Sequence, residues 1–598
     1  MEGFDSSDSN RSARPLRYAQ RFELKAPLEL EGGGVLPHAR IAYETWGTLS
    51  EARDNAILVC HALSGDSHVV RHDAEDDPGW WEVMVGPGRP VDTDRYYVVC
   101  ANVLGGCRGS SGPDSRHPDT GERYGADFPP VTVGDMVETQ LQLLDHLGVG
   151  ELAAVIGGSL GGHQALAWGE RGAHRTRSII AMATSPRLTA QAIAFDVVGR
   201  NAILRDPNFA GGRYAETPLR PQVGLALARM LGHITYLSRE AMDARFDPAD
   251  SSPREVVSEF ERKFSVGSYL AHQGERFVER FDANSYMALS LAMDRFDLGG
   301  TPEAIRAKLG KADVRWLIVS FSSDWLFPPW QSQLVVDALV PVGRDVTYCE
   351  IETDCGHDAF LLEDDFEEYG GLVRAFLDPD DFDPHGPQPI QRPSQVVGTG
   401  HPVDDAILEL LEPSDTILDL GCGGGGLMGM ARRRGHPRVM GVELACESVI
   451  ECASHDLPVI QADLDHGLGS FADGQFDVVV LSQTLQLVNH VETLLGEMLR
   501  VGRRAVVSFS NASRTSNRRR LVEEGTAPRP LAFDHEDVFE APPMRQFSIR
   551  DFEALCERMG LVVERRLGLR GRDGDVAEGE LDDSVDVAIF VLGRGDSR

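Results

Sequence analysis

Three residues far apart in the chain have the types and the order needed to make a nucleophile. Ser159 stands in Gly157-Gly158-Ser159-Leu160-Gly161-Gly162, between the apolar run LAAVIG and the helical stretch HQALAWGERGA. This is G-x-S-x-G with a strand before it and a helix after it, the setting in which a tight turn exposes a serine hydroxyl. A serine hydroxyl is a poor nucleophile near neutral pH, so a base must take its proton and a carboxylate must orient that base. Serine, acid, histidine is the order along the chain that such a turn predicts. Asp324 in SSDWLFPP and His357 in DCGHDAFLLE supply the pair, each just past an apolar run, VRWLIVSF and VTYCEIE. Attack on an acyl carbon leaves an oxyanion that needs donors aimed at it. The backbone N–H groups of Leu160, next to the serine, and of Leu63, in CHALSGDSH, are the candidates.

A second constellation lies far downstream. Asp419-Leu-Gly421-Cys-Gly423-Gly-Gly425 follows the apolar run TIL and opens a helix, and Glu443 closes the next apolar run. Glycines let a ligand approach the backbone, and an acid about 20 residues on can hold ribose hydroxyls. The spacing D-x-G-x-G-x-G suits S-adenosylmethionine better than the dinucleotide pattern G-x-G-x-x-G. Asp463, ending PVIQAD, is placed to face an adenine ring.

Both constellations need strands and helices to hold them. In the first 380 residues, AILVCHAL, YYVVCANVLG, LAAVIGGS and VRWLIVSF alternate with helical stretches. Fully apolar runs separated by helices predict buried parallel strands. Residues 187–300 break the rhythm and read as an inserted helical lid, the kind of insertion that roofs a site. DPDDFDPHGPQPIQRPSQ is rich in proline and acid, so a linker is placed at 381–396. TILDLGCGGGG, RVMGVEL, PVIQADL, FDVVVLSQTL and RAVVSFS then repeat the strand and helix rhythm, which predicts a second, smaller doubly wound domain at 397–598. Residues 1–20 read as a disordered tail, without the apolar segment of an export signal.

Composition narrows the partners. The chain has 598 residues, 42% hydrophobic and 25% charged, and no run approaching the ~18 apolar residues of a membrane span. A net charge of −35 opposes binding to nucleic acid. The one arginine-rich run, Arg514 to Arg520, reads as a solvated helix face. Nine scattered cysteines, with neither C-x-x-C nor a Cys/His cluster at zinc spacing, predict reduced thiols, a cytoplasmic protein and no metal. Four lysines stand against many arginines, and acids outnumber bases 93 to 58. A salt-tolerant host and a coding bias toward arginine both account for that balance.

The strings HALSGDSH, WWEVMVGPGRPVDTDRYYVVCANVLGGCRGSSGPDS, TGERYGADFPPVTVGDMV, GGSLGGHQALAW, DPNF, GLALARMLGHITYLS, RFDANSYMALSLAMDRFD and GHDAFLLE resemble the homoserine O-acyltransferases of methionine biosynthesis, the MetX family. The resemblance covers residues 20 to 378. It implies an α/β-hydrolase fold over 21–380 with the lid at 187–300, and a homodimer formed through that lid. It also implies transfer of an acyl group from an acyl-CoA to L-homoserine by a ping-pong route. The family's substrate-binding positions fall on Arg229 and Asp358, whose charges suit the carboxylate and ammonium of homoserine. Tyr236 and Ser64 are further candidates for the same pocket. Succinyl-transferring members carry an arginine two positions past the catalytic acid. Leu326 stands there and points to acetyl-CoA, whereas ALSG in place of ALTG, and Trp325, point to succinyl-CoA.

DLPVIQADLDHGLGSFADGQFDVVVLSQTLQ and EMLRVGRRAVVSF resemble the methionine biosynthesis protein MetW, a class I methyltransferase-like family with a Rossmann-like fold. The resemblance runs from about 403 to 570 and lapses after SFSNAS, where RTSNRRRLVEEG replaces an aromatic-rich segment. A methyltransferase, a scaffold or activator of the attached acyltransferase, and a sensor of S-adenosylmethionine all fit this half. A plain esterase is the competing reading of the first half.

Overall fold

The structure, a computed structural model, describes residues 16–216, 219–246, 265–364, 366–379, 402–527, 544–571 and 575–594. It falls into two compact units that divide between Leu377 and Asp378. The linker expected at 381–396 lies outside the described residues, as does most of the tail. The described residues include the end of that segment: the Tyr18 hydroxyl donates to Asp73, and Gln20 opens the first strand.

The apolar runs of the first unit become strands because their side chains have nowhere wet to point. The main sheet is built from β1 (Gln20–Glu23), β2 (Arg40–Trp46), β3 (Ala56–Cys60), β4 (Tyr97–Ala101), β5 (Leu152–Gly158), β6 (Ser178–Met182), β7 (Arg315–Phe321) and β8 (Val346–Ile351). Their order across it is β1-β2-β4-β3-β5-β6-β7-β8. β1, β2 and β4 pair antiparallel, and from β4 through β8 every pairing is parallel. Each residue of β3, β5 and β6 is buried, as expected for strands covered on both faces.

Helices α1 (Val133–Leu147) and α2 (Leu160–Arg171) pack on each other, and α2 lies on β5 and β6. α1 is fixed at its start by a capping box of Thr132 and Asp135 and stopped by Gly148 at φ 69°. Between β6 and β7 the chain leaves the sheet to build the lid: α3 (Ala190–Leu204), α4 (Gln222–Tyr236), α5 (Arg239–Arg245), α6 (Ser265–Arg280) and α7 (Ala283–Arg295). α4 packs between α3 and α6.

The second unit has its own sheet, from β9 (Ile417–Leu420), β10 (Val439–Glu443), β11 (Val459–Gln461), β12 (Phe476–Ser482), β13 (Gly502–Ser510), β14 (Leu561–Arg570), β15 (Asp575–Glu578) and β16 (Val587–Arg594). Their order is β11-β10-β9-β12-β13-β16-β14-β15, parallel from β11 to β13 and antiparallel beyond. α8 (Gly426–Arg433) follows β9 directly. The arginine run departs from a uniformly solvated face: Arg514 is buried 3.5 Å from Asp586, while Arg518 and Arg519 pair with Asp583 and Glu523 at the surface. Among the described residues, no helix is long and apolar enough to cross a membrane.

Candidate active site

β5 ends at Gly158 and α2 begins at Leu160, so Ser159 alone turns the chain, at φ 58° and ψ −123°. A side chain is strained there and persists only where the surroundings fix it. The Ser159 N–H donates to the Met182 carbonyl (3.1 Å), and its own carbonyl accepts from the Thr184 hydroxyl (3.0 Å). The flanking glycines are required by closeness. A Cβ on Gly157 would lie 2.4 Å from the Gly161 oxygen, and one on Gly161 would lie 2.0 Å from the Cys60 oxygen.

The three residues singled out by type and order meet at this turn. His357 Nε2 is 3.0 Å from Ser159 Oγ, and His357 Nδ1 is 2.8 Å from Asp324 Oδ2. The other Asp324 oxygen accepts the N–H groups of Leu326 (3.0 Å) and Phe327 (2.8 Å). A carboxylate held by three donors keeps one orientation, and because it only accepts, it keeps the proton on Nδ1 and the Nε2 lone pair on the serine. Burial opposes charging of His357, but the Asp324 charge and its hydrogen bond outweigh it, so the imidazole is held above the ordinary histidine value.

Leu160 heads α2, where its N–H has no acceptor within the helix. Among the described residues neither that N–H nor the one of Leu63 has a hydrogen-bond acceptor. The loop carrying Leu63 is fixed by His61, which motif reading passed over. Its Nδ1 donates to the Ala62 carbonyl (2.7 Å), and its Nε2 accepts the Val103 N–H (3.0 Å). Burial holds this imidazole below the usual histidine range, which suits a neutral ring that both donates and accepts.

Ser159 opens onto a pocket whose lining includes Leu63, Ala192, Asp196, Tyr236, Tyr286 and Leu326. Tyr236 and Leu326, singled out in the sequence, are among these lining residues. Arg229, Asp358 and Ser64 are not among the lining residues. The Arg229 guanidinium is buried over the rings of Phe277 (4.9 Å) and Tyr236 (5.6 Å), one layer back. Asp358 is half-buried next to His357 in the chain, and the Ser64 carbonyl accepts from Arg280 (2.7 Å). Asp196 is a lining residue that sequence reading missed. Burial and the neighbouring Asp294 carboxylate hold it well above the carboxylate range. Its only signal was its place four residues after Ala192, on the inner face of α3.

In the second unit, Gly421, Gly423 and Gly425 all have positive φ (65°, 52° and 84°), giving an open backbone cradle between β9 and α8. Asp419 is buried, and its Oδ1 has no hydrogen-bond partner among the described residues. Burial first, then the Asp404 and Glu443 charges, hold its carboxyl well above the usual range. Glu443 accepts from the N–H of Gly423 (2.8 Å) on one oxygen and from those of Leu444 (2.8 Å) and Ala445 (3.2 Å) on the other. Asp463 is engaged in its own turn, accepting the Asp465 N–H (2.9 Å).

A strand, an elbow serine, an acid and histidine on later strand ends, and a helical lid together define the α/β-hydrolase class. The family model described as "alpha/beta hydrolase fold" matches residues 55–364, and the one described as "Methionine biosynthesis protein MetW" matches 403–591. Over 606 aligned residues, 99% of this chain and 96% of the relative, the sequence is 48% identical to the bifunctional methionine biosynthesis protein MetXA/MetW of Rhodopirellula baltica. The chain belongs to that two-part methionine biosynthesis family. Its first 60% is 49% identical to the homoserine O-acetyltransferase of Solidesulfovibrio magneticus, covering 93% of it. It is also 49% identical to the homoserine O-succinyltransferase of Acidithiobacillus ferrooxidans, covering 94%. Among solved structures, the homoserine O-acetyltransferase of Bacillus anthracis superposes with a TM-score of 0.54 at 29% identity, and esterase E22 with 0.55 at 28%. Each aligns with 60% of this chain, and with 97% and 99% of the respective solved chain.

Proposed function

We propose that the first unit transfers an acetyl group from acetyl-CoA to the side-chain hydroxyl of L-homoserine, in methionine biosynthesis. The observation that carries this reading is the Ser159, His357 and Asp324 relay at the floor of a lidded pocket, in a chain alike along its whole length to a MetXA/MetW protein. His357 takes the Ser159 proton as Oγ attacks the thioester carbon, and the oxyanion forms beside the N–H groups of Leu160 and Leu63. The intermediate collapses, and coenzyme A leaves with the proton from His357. Homoserine's hydroxyl then gives its proton to the same nitrogen and attacks the acyl-enzyme, which frees Ser159. Arg229, buried one layer behind Tyr236, and Asp358, beside His357, favour the carboxylate and ammonium of homoserine through their charges, and the lid keeps water out between the two halves.

The choice of acetyl over succinyl rests on the lining. Among the described residues no lysine or arginine lines the pocket, and Leu326 occupies the second position past Asp324, so a succinyl carboxylate there would be buried without a lining cation. Measuring kcat/KM for acetyl-CoA and succinyl-CoA, each with and without homoserine, tests both points. Faster turnover of the succinyl thioester would overturn the donor, and coenzyme A release at full rate without homoserine would make the protein an esterase.

Two further readings follow from particular residues. Val197, Val198, Val223, Leu227 and Ile234 leave apolar side chains exposed on α3 and α4, which supports a homodimer through the lid. In the second unit the glycine cradle, the Asp419 oxygen left without a partner among the described residues and Glu443 at the strand end fit S-adenosylmethionine, with Asp419 and Glu443 holding it through its polar groups. When bound, that molecule supplies a methyl group or a regulatory signal.

A further inference from the structure

Among the described residues, one cluster of ligating side chains lies outside the catalytic pocket. Glu44, in the interior of β2, is fully buried, and the loop after β3 brings His68 and His72 to it. Glu44 Oε2 is 2.9 Å from His68 Nδ1 and 3.0 Å from His72 Nε2, and one ligand atom from each residue lies within 4.8 Å of the others. The other nitrogen of His68, Nε2, is 2.7 Å from the Asp77 carbonyl. A carbonyl only accepts, so Nε2 carries a proton, and Nδ1, once it gives up its own, turns a lone pair to a carboxylate oxygen. Two acceptors face to face require a positive charge between them, and the second imidazole is turned toward the same oxygen. Ser67 Oγ donates to Glu44 Oε1 (2.9 Å) and fixes the carboxylate. An imidazole whose far N–H is pinned to a carbonyl, beside a carboxylate that is itself hydrogen-bonded, is the arrangement that orients metal ligands.

We propose that Glu44, His68 and His72 form a binding site for one divalent first-row transition ion of the zinc type. Two imidazole nitrogens and one carboxylate oxygen are a known ligand set for such ions, leaving a coordination position for water. His72, with 18% of its side chain exposed against 6% for His68 and none for Glu44, marks the side from which the ion enters. The ion clips the loop that follows Leu63 onto β2. Its role is to hold the fold around the oxyanion donors, and acyl transfer needs no step through it.

Cobalt(II) is the probe, because its absorption separates nitrogen and oxygen ligands from the chain's nine free thiols. The untagged full-length protein is stripped with chelator and titrated. One equivalent is expected to give visible bands without thiolate charge transfer and to raise the unfolding temperature. In His72→Ala, and in Glu44→Gln if that variant folds, affinity should fall at least about tenfold and the thermal gain should vanish. A folded wild-type protein with no such bands would overturn the proposal, showing that a proton fills the gap. Equal bands in wild type and His72→Ala, or bands with thiolate character, would overturn it equally, because the ion would then sit elsewhere.

Discussion

Each unit contains a parallel strand that ends in a glycine-rich turn and enters a helix, and the two turns do opposite things. At Gly157 to Gly162 the glycines close the backbone down on β3, and the one residue forced to positive φ is Ser159, which is thereby lifted clear. At Gly421 to Gly425 three glycines take the positive φ, and the turn offers backbone in place of a side chain. The acids differ in the same sense: Asp324 has three donors, whereas an oxygen of Asp419 has none among the described residues. A site that makes and breaks bonds with its own side chains is complete when the chain folds. A site that cradles a guest is folded with part of its polar balance left for the guest to supply.

The largest test of this contrast is Ser159→Ala, which should lower acyl transfer by about 10⁴-fold or more and remove the acetyl-enzyme from intact-mass spectra, with the fold unchanged. Retained acylation would place the nucleophile elsewhere. Asp324→Asn should cost on the order of 10³ to 10⁴ in kcat, since an amide no longer fixes the proton on Nδ1. Because Asp324 holds His357 above the ordinary histidine value, the neutral base accumulates only at higher pH. The acid limb of kcat/KM should therefore lie above that value in wild type and move down in Asp324→Asn, and an unmoved limb would sever the link. The smallest effect concerns Asp419→Asn. A carboxyl raised in the folded state gives stability that is present below its unfolded value and lost as pH rises through the folded one. The amide escapes that loss, so unfolding of the second unit should shift upward at neutral pH by about 2–4 °C for each kcal/mol, and not in strong acid. Acyl transfer should be unaffected, while heat of binding to S-adenosylmethionine should shrink; the reverse pattern would break the comparison.

Buried parallel strands were legible because burial on both faces leaves only apolar residues, as in AILVC and LAAVIGG. The edge was not. QRFE of β1 and DVAE of β15 mix charges with apolar residues because one side meets water, and they carry no uninterrupted run. In the site, Ser159, Asp324 and His357 could be found because motif and chain order constrain them. His61 and Asp196 could not, since each acts through neighbours distant in sequence, Val103 for one and Asp294 for the other. Glu44, His68 and His72 escaped for a related reason: the carboxylate comes from a strand 24 residues before the first histidine, outside any zinc spacing.

The corner where α4 runs out has a consequence for engineering. A Cβ on Gly356 would sit 2.5 Å from the Ser238 nitrogen and 2.7 Å from the Tyr236 oxygen, Trp325 donates to the Leu237 carbonyl (3.0 Å), and the Ser238 hydroxyl donates to Asp354. The roof is thus riveted at Tyr236 to Ser238 to the very loops that present the acid and the base. A chimaera that borrows its roof from a relative must keep those three residues in register, or it will disturb proton transfer at a distance while leaving every triad atom in the gene untouched.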